Sequence, residues 1–343
     1  MIRAALCALF FLALTLTGAR AARAQFDPSS LNRILRQYQH DGDFDYGAIR
    51  DKEKDNIAAI LRSFGRVEKE RWEGHVESEQ KAFWMNAHLV ITLWAIVANY
   101  PVEGDSIRFF PGDSVQQIPD FWDAQYITPE GMQSLRSIER KLIEQFGDVR
   151  AVLVLFNGTR SGPPPPTEAW TGRNVEKRIE RRMEQYFASD RGAVHDYQNA
   201  TLELSEAVTD FWRADVLAAA RSARDANQGN VPVALRPRTG PTGPWRRYGE
   251  EDALLLEFLS PYLPARTLSR LKVKPHRIET LRYDWRLNDG TPPPPAPEGI
   301  PLDPAAPFQD LEPGELPAAQ SEHKIRIPEK PKDPQELTPL FGE

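Results

Sequence analysis

Cysteine is almost absent from this 343-residue chain, and Cys7 is the only one. It lies in a stretch that reads as a secretory signal peptide. Met1-Ile2-Arg3 gives a short basic start, Ala4 to Thr17 an apolar core, and Ala22-Arg23-Ala24 a small-x-small cleavage site. Residues 1–24 are therefore expected to be a removable leader, with Gln25 as the new N-terminus of an exported, periplasmic or extracellular protein. The apolar core is too short for a spanning helix, which needs roughly 20 residues. No lipobox-like sequence stands at the cleavage site. A chain matured in this way has no thiol nucleophile, no disulfide and no thiolate metal ligand.

Excess positive charge is missing too. Removing residues 1–24 takes three arginines and no acid, which leaves 40 bases against 49 acids and a net charge of −9. This argues against a nucleic-acid or anionic-membrane partner. The six histidines are scattered, with no HExxH-like spacing, so neither a metal site nor a cofactor is expected. No internal repeat is present. Residues 289–343 have almost no aromatics, yet hold 14 of the 30 prolines and 11 acids against 4 bases. Such a segment buries too little apolar area to offset its ordering entropy. It is expected to be a disordered acidic tail, opening as polyproline at Thr291-Pro-Pro-Pro-Pro-Ala-Pro297. It reads as a spacer, or as a docking ligand for a partner.

The remaining residues, 25–288, are expected to form one domain. Leu31, Ile34, Leu35 and Tyr38 have helical spacing, and His40-Asp41-Gly42-Asp43 ends that helix before a short extended Phe44-Asp45-Tyr46. Ile57, Ile60, Leu61 and Phe64 mark a second helix, stopped by Gly65. A third runs from about Glu79 to Asn99 and ends at Tyr100-Pro101. From Ala82 to Ala98 it is apolar apart from Asn86, His88 and Thr92, which suits a buried central helix better than a membrane span. Residues 101–127 are irregular and aromatic, with Phe109, Phe110, Phe121, Trp122 and Tyr126. Thr128-Pro129 reads as a helix start, with Leu135, Ile138, Leu142, Ile143 and Phe146 as the buried face and Gly147 as the stop. Ala151 to Phe156 is an apolar run of strand length. A rigid loop follows at 157–166, then a charged helix from about Asn174 to Phe187. His195–Tyr197 and Thr201–Leu204 suggest a hairpin around Gln198-Asn199-Ala200. Ser205 caps a further helix carrying Val208, Phe211, Trp212 and Leu217 on one face. Residues 225–248 read as an exposed loop, Glu250–Leu259 as a helix and Arg277–Trp285 as a last strand. The sum is a helix-dominated α+β single globular domain with a small sheet.

Several segments, taken in order, resemble the domain of unknown function 547 family. Glu79-Gln80-Lys81-Ala82-Phe83-Trp84-Met85-Asn86-Ala87 resembles its AFWINAYNAL helix, and Phe44-Asp45-Tyr46 its early VDY. Ser134-Leu135, Ile138-Glu139 and Leu142 resemble SLDDIEHxxLR, and Leu155 to Pro164 resembles the ALNCxSxSCPP loop. Leu202 to Ser205 with Phe211-Trp212, and Tyr283-Asp284-Trp285 with Leu287-Asn288, resemble the closing motifs. The resemblance covers roughly residues 30–288. It implies a family without settled activity and a distant likeness to papain or transglutaminase folds. The departures matter. Asn157 and Gly162 stand where that family usually has cysteines, Arg140 replaces a histidine after Ile-Glu, Val152 replaces another, and Leu89 and His88 replace an asparagine and a tyrosine. A cysteine–histidine mechanism is impossible with the same residues.

The candidate site residues are Asn86, His88, Asp123, Asn157, Thr159, Ser161, Tyr283 and Asp284. Asn86 must be hydrogen-bonded if buried, and the 157–162 loop is its expected partner. His88 lies about 200° round the helix from Asn86, so the two do not share a face. It is a satisfied histidine or a base. The small residues of Asn157-Gly-Thr-Arg-Ser-Gly162 offer amides to an anion or oxyanion, but the Gly-Lys-Ser/Thr ending of a Walker loop is missing. Ser161 or Thr159 would need a neighbouring base to act as a nucleophile. Asp123 and Asp284 sit beside aromatics and would serve acid–base chemistry only if close in space. The arginines of 236–247, with Trp245, form a solvated loop or a docking patch for an acidic partner. The leading expectation is a non-catalytic binding or scaffolding protein of the cell envelope, its partner met through the tail or the folded domain. The alternative is a hydrolase or transferase on peptide or cell-wall material.

Overall fold

A computed structural model describes residues 28–105, 110–229 and 243–291. The expected leader, the tail from 292 onward, Phe109 and the 230–242 part of the arginine-rich loop lie outside the described residues.

The apolar periodicities become helices. Leu31, Ile34 and Leu35 are the buried side of α1 (Pro28–Gln37). Asp41 and Gly42 both adopt positive φ, 51° and 90°. They form a tight turn between β1 (Gln39–His40) and β2 (Asp43–Phe44), in the manner that Asp-Gly favours. The extended piece is therefore shorter than expected: Asp45 already caps α2 (Tyr46–Phe64), its Oδ1 accepting from the Ala48 amide at 2.8 Å. A five-residue α3 (Lys69–Glu73) leads to α4 (Glu77–Asn99). By length and composition α4 is able to cross a membrane, but 83% of its most apolar window is buried within the protein. It is the central helix, packed on α2, α5 and α7.

The chain departs from the sequence reading next. Thr128-Pro129 does not start a helix. It ends β3 (Tyr126–Thr128) and turns into β4 (Gly131–Gln133), with Thr128 Oγ1 donating to the Gly131 carbonyl at 2.8 Å. Pro followed two residues later by glycine at φ 93° is equally a turn signal. The helix α5 (Leu135–Glu144) starts six residues later, capped by Ser134. Residues 151–156 do not form a strand either. Asp148 accepts from the Arg150 amide and nucleates α6 (Val149–Leu153). A short run buried on every side carries no period to separate helix from strand.

The helix α7 (Val175–Phe187) is as expected. So is the hairpin: β5 (Ala193–Asp196) pairs antiparallel with β6 (Thr201–Ser205). Ser205 Oγ accepts from the Ala207 amide, but the following turn, Ala207–Phe211, is π-helical. That turn leaves Phe211 39% exposed, instead of on the apolar face of the next helix, α8 (Arg213–Gly229). Trp245 and Tyr248 are buried, so the end of the expected exposed loop belongs to the core. Two further helices, α9 (Glu250–Leu259) and α10 (Ala265–Val273), complete the crossover to β7 (Arg277–Leu281), which lies parallel to β6. The strand stops at Leu281, not Trp285. The result is a helix-dominated α+β domain with small sheets.

Candidate functional site

The 157–162 loop leaves α6 through buried Val154, Leu155 and Phe156. Gly158 has φ 79°, and a Cβ there would run into Ile96 of α4 and approach Val115, so glycine is required twice over. The loop then runs beside residues 284–288. The Arg160 amide donates to the Arg286 carbonyl at 2.9 Å, and the Ser161 amide to the Asp284 carbonyl at 3.3 Å. In return the Asp284 amide donates to Ser161 Oγ at 2.8 Å. The Asn288 amide donates to the Gly158 carbonyl at 3.0 Å.

Inside this ladder sits a polar knot. Asn157 Nδ2 donates to Tyr283 Oη at 2.7 Å, and Thr159 Oγ1 lies 2.8 Å from the same oxygen. Asn157 Oδ1 accepts from the Thr159 amide and lies 2.8 Å from its hydroxyl. The Gly162 amide donates to Thr159 Oγ1. Burial pushes the Tyr283 phenol up to about 12, with the Thr159 and Asn157 bonds acting the other way. Glu139 and Glu206 add to the rise, and Glu206 Oε2 also accepts from the Tyr283 amide at 3.2 Å. The Tyr283 ring packs against Phe211 and Trp285.

The other expected site residues have different neighbours. Asn86 does not reach for this loop. Its Nδ2 donates to the Trp170 carbonyl at 2.9 Å and its Oδ1 accepts from the Trp170 amide at 2.8 Å. His88 is fully buried, with Nε2 3.4 Å from Glu139 Oε1 and Nδ1 3.5 Å from Thr92 Oγ1. Asp123 is exposed and paired with Arg136, which holds its carboxyl below the usual range. Burial pushes the Asp284 carboxyl up, but Arg286 outweighs it and holds that group down as well. Asn157, Thr159, Ser161, Tyr283 and Asp284 thus converge, His88 approaches them through Glu139, and Asn86 and Asp123 are engaged elsewhere.

This arrangement has little left over for chemistry. The amides of Thr159, Arg160, Ser161 and Gly162 all have acceptors within the protein, so they form no free oxyanion hole. Ser161 Oγ is an acceptor from a backbone amide rather than the donor to a base. Among the described residues no three His, Cys, Asp or Glu side chains converge as a metal-ligand set. An open groove of about 510 Å³ runs beside α5, lined by Ser134, Arg136, Ser137, Arg140, Lys141 and Glu144. Its cations are paired with Asp123, with Glu144 and Asp215, and with Glu130. No family model, curated protein or solved structure matches the chain. Glu206 was not singled out from the sequence, and Glu139 entered only as part of a resembling segment, not as a site residue. Only their approach to Tyr283 distinguishes them.

Proposed function

We propose that this protein is an exported, non-catalytic binding or scaffolding component of the cell envelope. One observation carries the reading: the side chains at which chemistry would be expected are spent on one another. Asn157, Thr159 and Tyr283 close a hydrogen-bonded knot, Ser161 binds the Asp284 backbone, and Asn86 binds Trp170. The six-segment resemblance to the domain of unknown function 547 family supports the same reading, because Asn157 and Gly162 occupy its usual cysteine positions. The test is a crosslinking pull-down from the native envelope, using protein with and without residues 292–343, followed by reciprocal capture through each partner found. A partner retained in both directions supports binding by the domain, or by the tail if truncation abolishes it. Turnover of a peptide or peptidoglycan substrate that Ser161→Ala abolishes without unfolding would overturn the reading.

A hydrolase or transferase is the second reading, favoured by the buried His88–Glu139 contact at 3.4 Å beside the Tyr283 knot. Under it, Glu139→Gln removes activity while thermal stability is retained.

A further inference from the structure

The three-stranded sheet carries a group of side chains that the site above does not use. His195 on β5 lies opposite Leu202, which lies opposite Ile278. Paired residues share a sheet face, so His195 is on the face of two apolar side chains. His276 precedes β7 and falls on the same face by the two-residue period. The two imidazole centroids are 4.8 Å apart with planes at 70°. The Tyr197 ring centroid also lies 4.0 Å from that of His195. From α10, Arg266 stands 5.1 Å from the Tyr197 ring, and Arg270 acts on His195.

The two histidines are held differently. His276 is fixed: its Nδ1 lies 2.8 Å from the Lys274 carbonyl and its amide donates to Tyr248 Oη at 3.2 Å. Tyr248 in turn donates to the Leu271 carbonyl. His195 has neither ring nitrogen exposed nor hydrogen-bonded within the protein. A neutral imidazole bears this at moderate cost, whereas an imidazolium would bury a charge and two unmet donors. Asp196, the next residue in β5, is occupied by the Gln198 and Asn199 amides at 2.9 and 3.0 Å and by the Asn199 side chain at 2.7 Å. With those donors already on it, that carboxylate makes no hydrogen bond to either ring nitrogen of His195. Burial, His276 and Arg270 hold the proton affinity of His195 below the ordinary value, and only Asp196 opposes them.

The strand that carries His195 lies at one edge of its sheet. β5 is an edge strand paired with β6 alone, and short edge elements lie at the low end of local opening energies. We propose that the His195–His276 contact is an acid-sensitive latch: with the His195 ring neutral it seats β5 on the sheet, and protonation of His195 on mild acidification frees that edge. The sign follows from linkage. The open form binds the proton more tightly, so the seated form is favoured above about pH 6.5 and loses that advantage as pH falls.

Amide hydrogen exchange on the full mature chain at pH 7.5 and 5.0 tests this, with each rate divided by its intrinsic value and α9 as the internal reference. Protection over Ala193–Asp196 is expected to fall at least tenfold relative to α9 at the lower pH. In His195→Phe, which keeps a ring against Tyr197 but takes no proton, the fall should vanish. An unchanged β5 in the wild type, or an equal fall in the variant, overturns the latch. Imidazole NMR titration of the wild type adds an arm that needs no variant. A His195 midpoint below the ordinary histidine value of about 6.5 is expected, and one at or above it overturns the latch.

Discussion

Asn86 offers the sharpest test of how the central helix is held. Its side chain is 2% exposed and makes a two-bond bridge to the backbone of Trp170, itself buried. Truncation in Asn86→Ala removes both bonds and leaves the Trp170 amide and carbonyl without partners. Each stranded buried group costs about 1–3 kcal/mol, so a loss of roughly 2–6 kcal/mol is expected. At about 2–4 °C per kcal/mol for a domain of this size, the melting temperature falls by at least several degrees. Urea melts followed by tryptophan fluorescence should show the midpoint move with an unchanged slope. Asn86→Asp separates the two bonds. The carboxylate still accepts from the Trp170 amide but faces the Trp170 carbonyl, where only its protonated form donates. The folded state therefore binds the proton more tightly than the unfolded chain, and the deficit relative to wild type should shrink as pH falls from 7.5 to 4.5. An alanine variant within 1 kcal/mol of wild type, on the scale set by stranded buried groups, would refute the reasoning. A pH-independent deficit in Asn86→Asp would refute the assignment of donor and acceptor.

Other consequences are as direct. Arg33 grips Glu53 with two bonds at 2.6 Å, and with help from Asn56 and Tyr38 it overcomes burial and holds the carboxyl down to about 2. The stability this supplies is present above the unfolded-chain value of about 4.3 and is lost as pH falls towards 2. Glu53→Gln should therefore flatten the acid limb of stability against pH, and an unchanged limb would exclude this pair as its source. Gly158→Ala, forced to positive φ and against Ile96, should lose about 2–4 kcal/mol in the same melts, and a neutral result would mean that the loop shifts freely. A Cβ on Gly162 would lie 3.0 Å from Asn157 Cγ, so side chains at 157 and 162 face each other. In Asn157→Cys/Gly162→Cys a disulfide should form on oxidation and make the oxidised form about 2 kcal/mol more stable than the reduced form. Persistent free thiols in a thiol assay would show that the two positions do not meet.

Helices were legible wherever one face alternates with water. Leu31, Ile34 and Leu35, and likewise Leu135, Ile138 and Leu142, project a single apolar stripe and are all buried. The β5–β6 hairpin was legible because Gln198-Asn199-Ala200 separates two short extended runs, and the chain does turn there, with Ala200 at φ 50°. Residues 151–156 were not, because burial on every side erases the period. Thr128-Pro129 was misread because the same two residues serve a cap and a turn equally well, and only Gly131 separates them. The site was half legible. Asn157, Thr159 and Ser161 are neighbours in sequence, but their meeting with Tyr283 spans 126 residues. Nothing local marked Trp170, 84 residues from Asn86, as the partner of that amide.

The segment 284–291 does more than line the 157–162 loop. Asn288 also ties to the start of the domain: its carbonyl accepts from the Phe44 amide and its Oδ1 accepts from the Tyr46 hydroxyl at 2.7 Å. Asp289 accepts from Tyr100, and Thr291 Oγ1 accepts from the Gly47 amide, which carries the folded body past the expected boundary at 288. The last residues of the domain are thus the fastening for its first helices and its central loop. A polypeptide delivered N-terminus first meets these partners long before their counterparts arrive. The contacts that fasten the first helices and the central loop therefore form only after residues 284–291 have emerged, which makes this fastening a late step of folding.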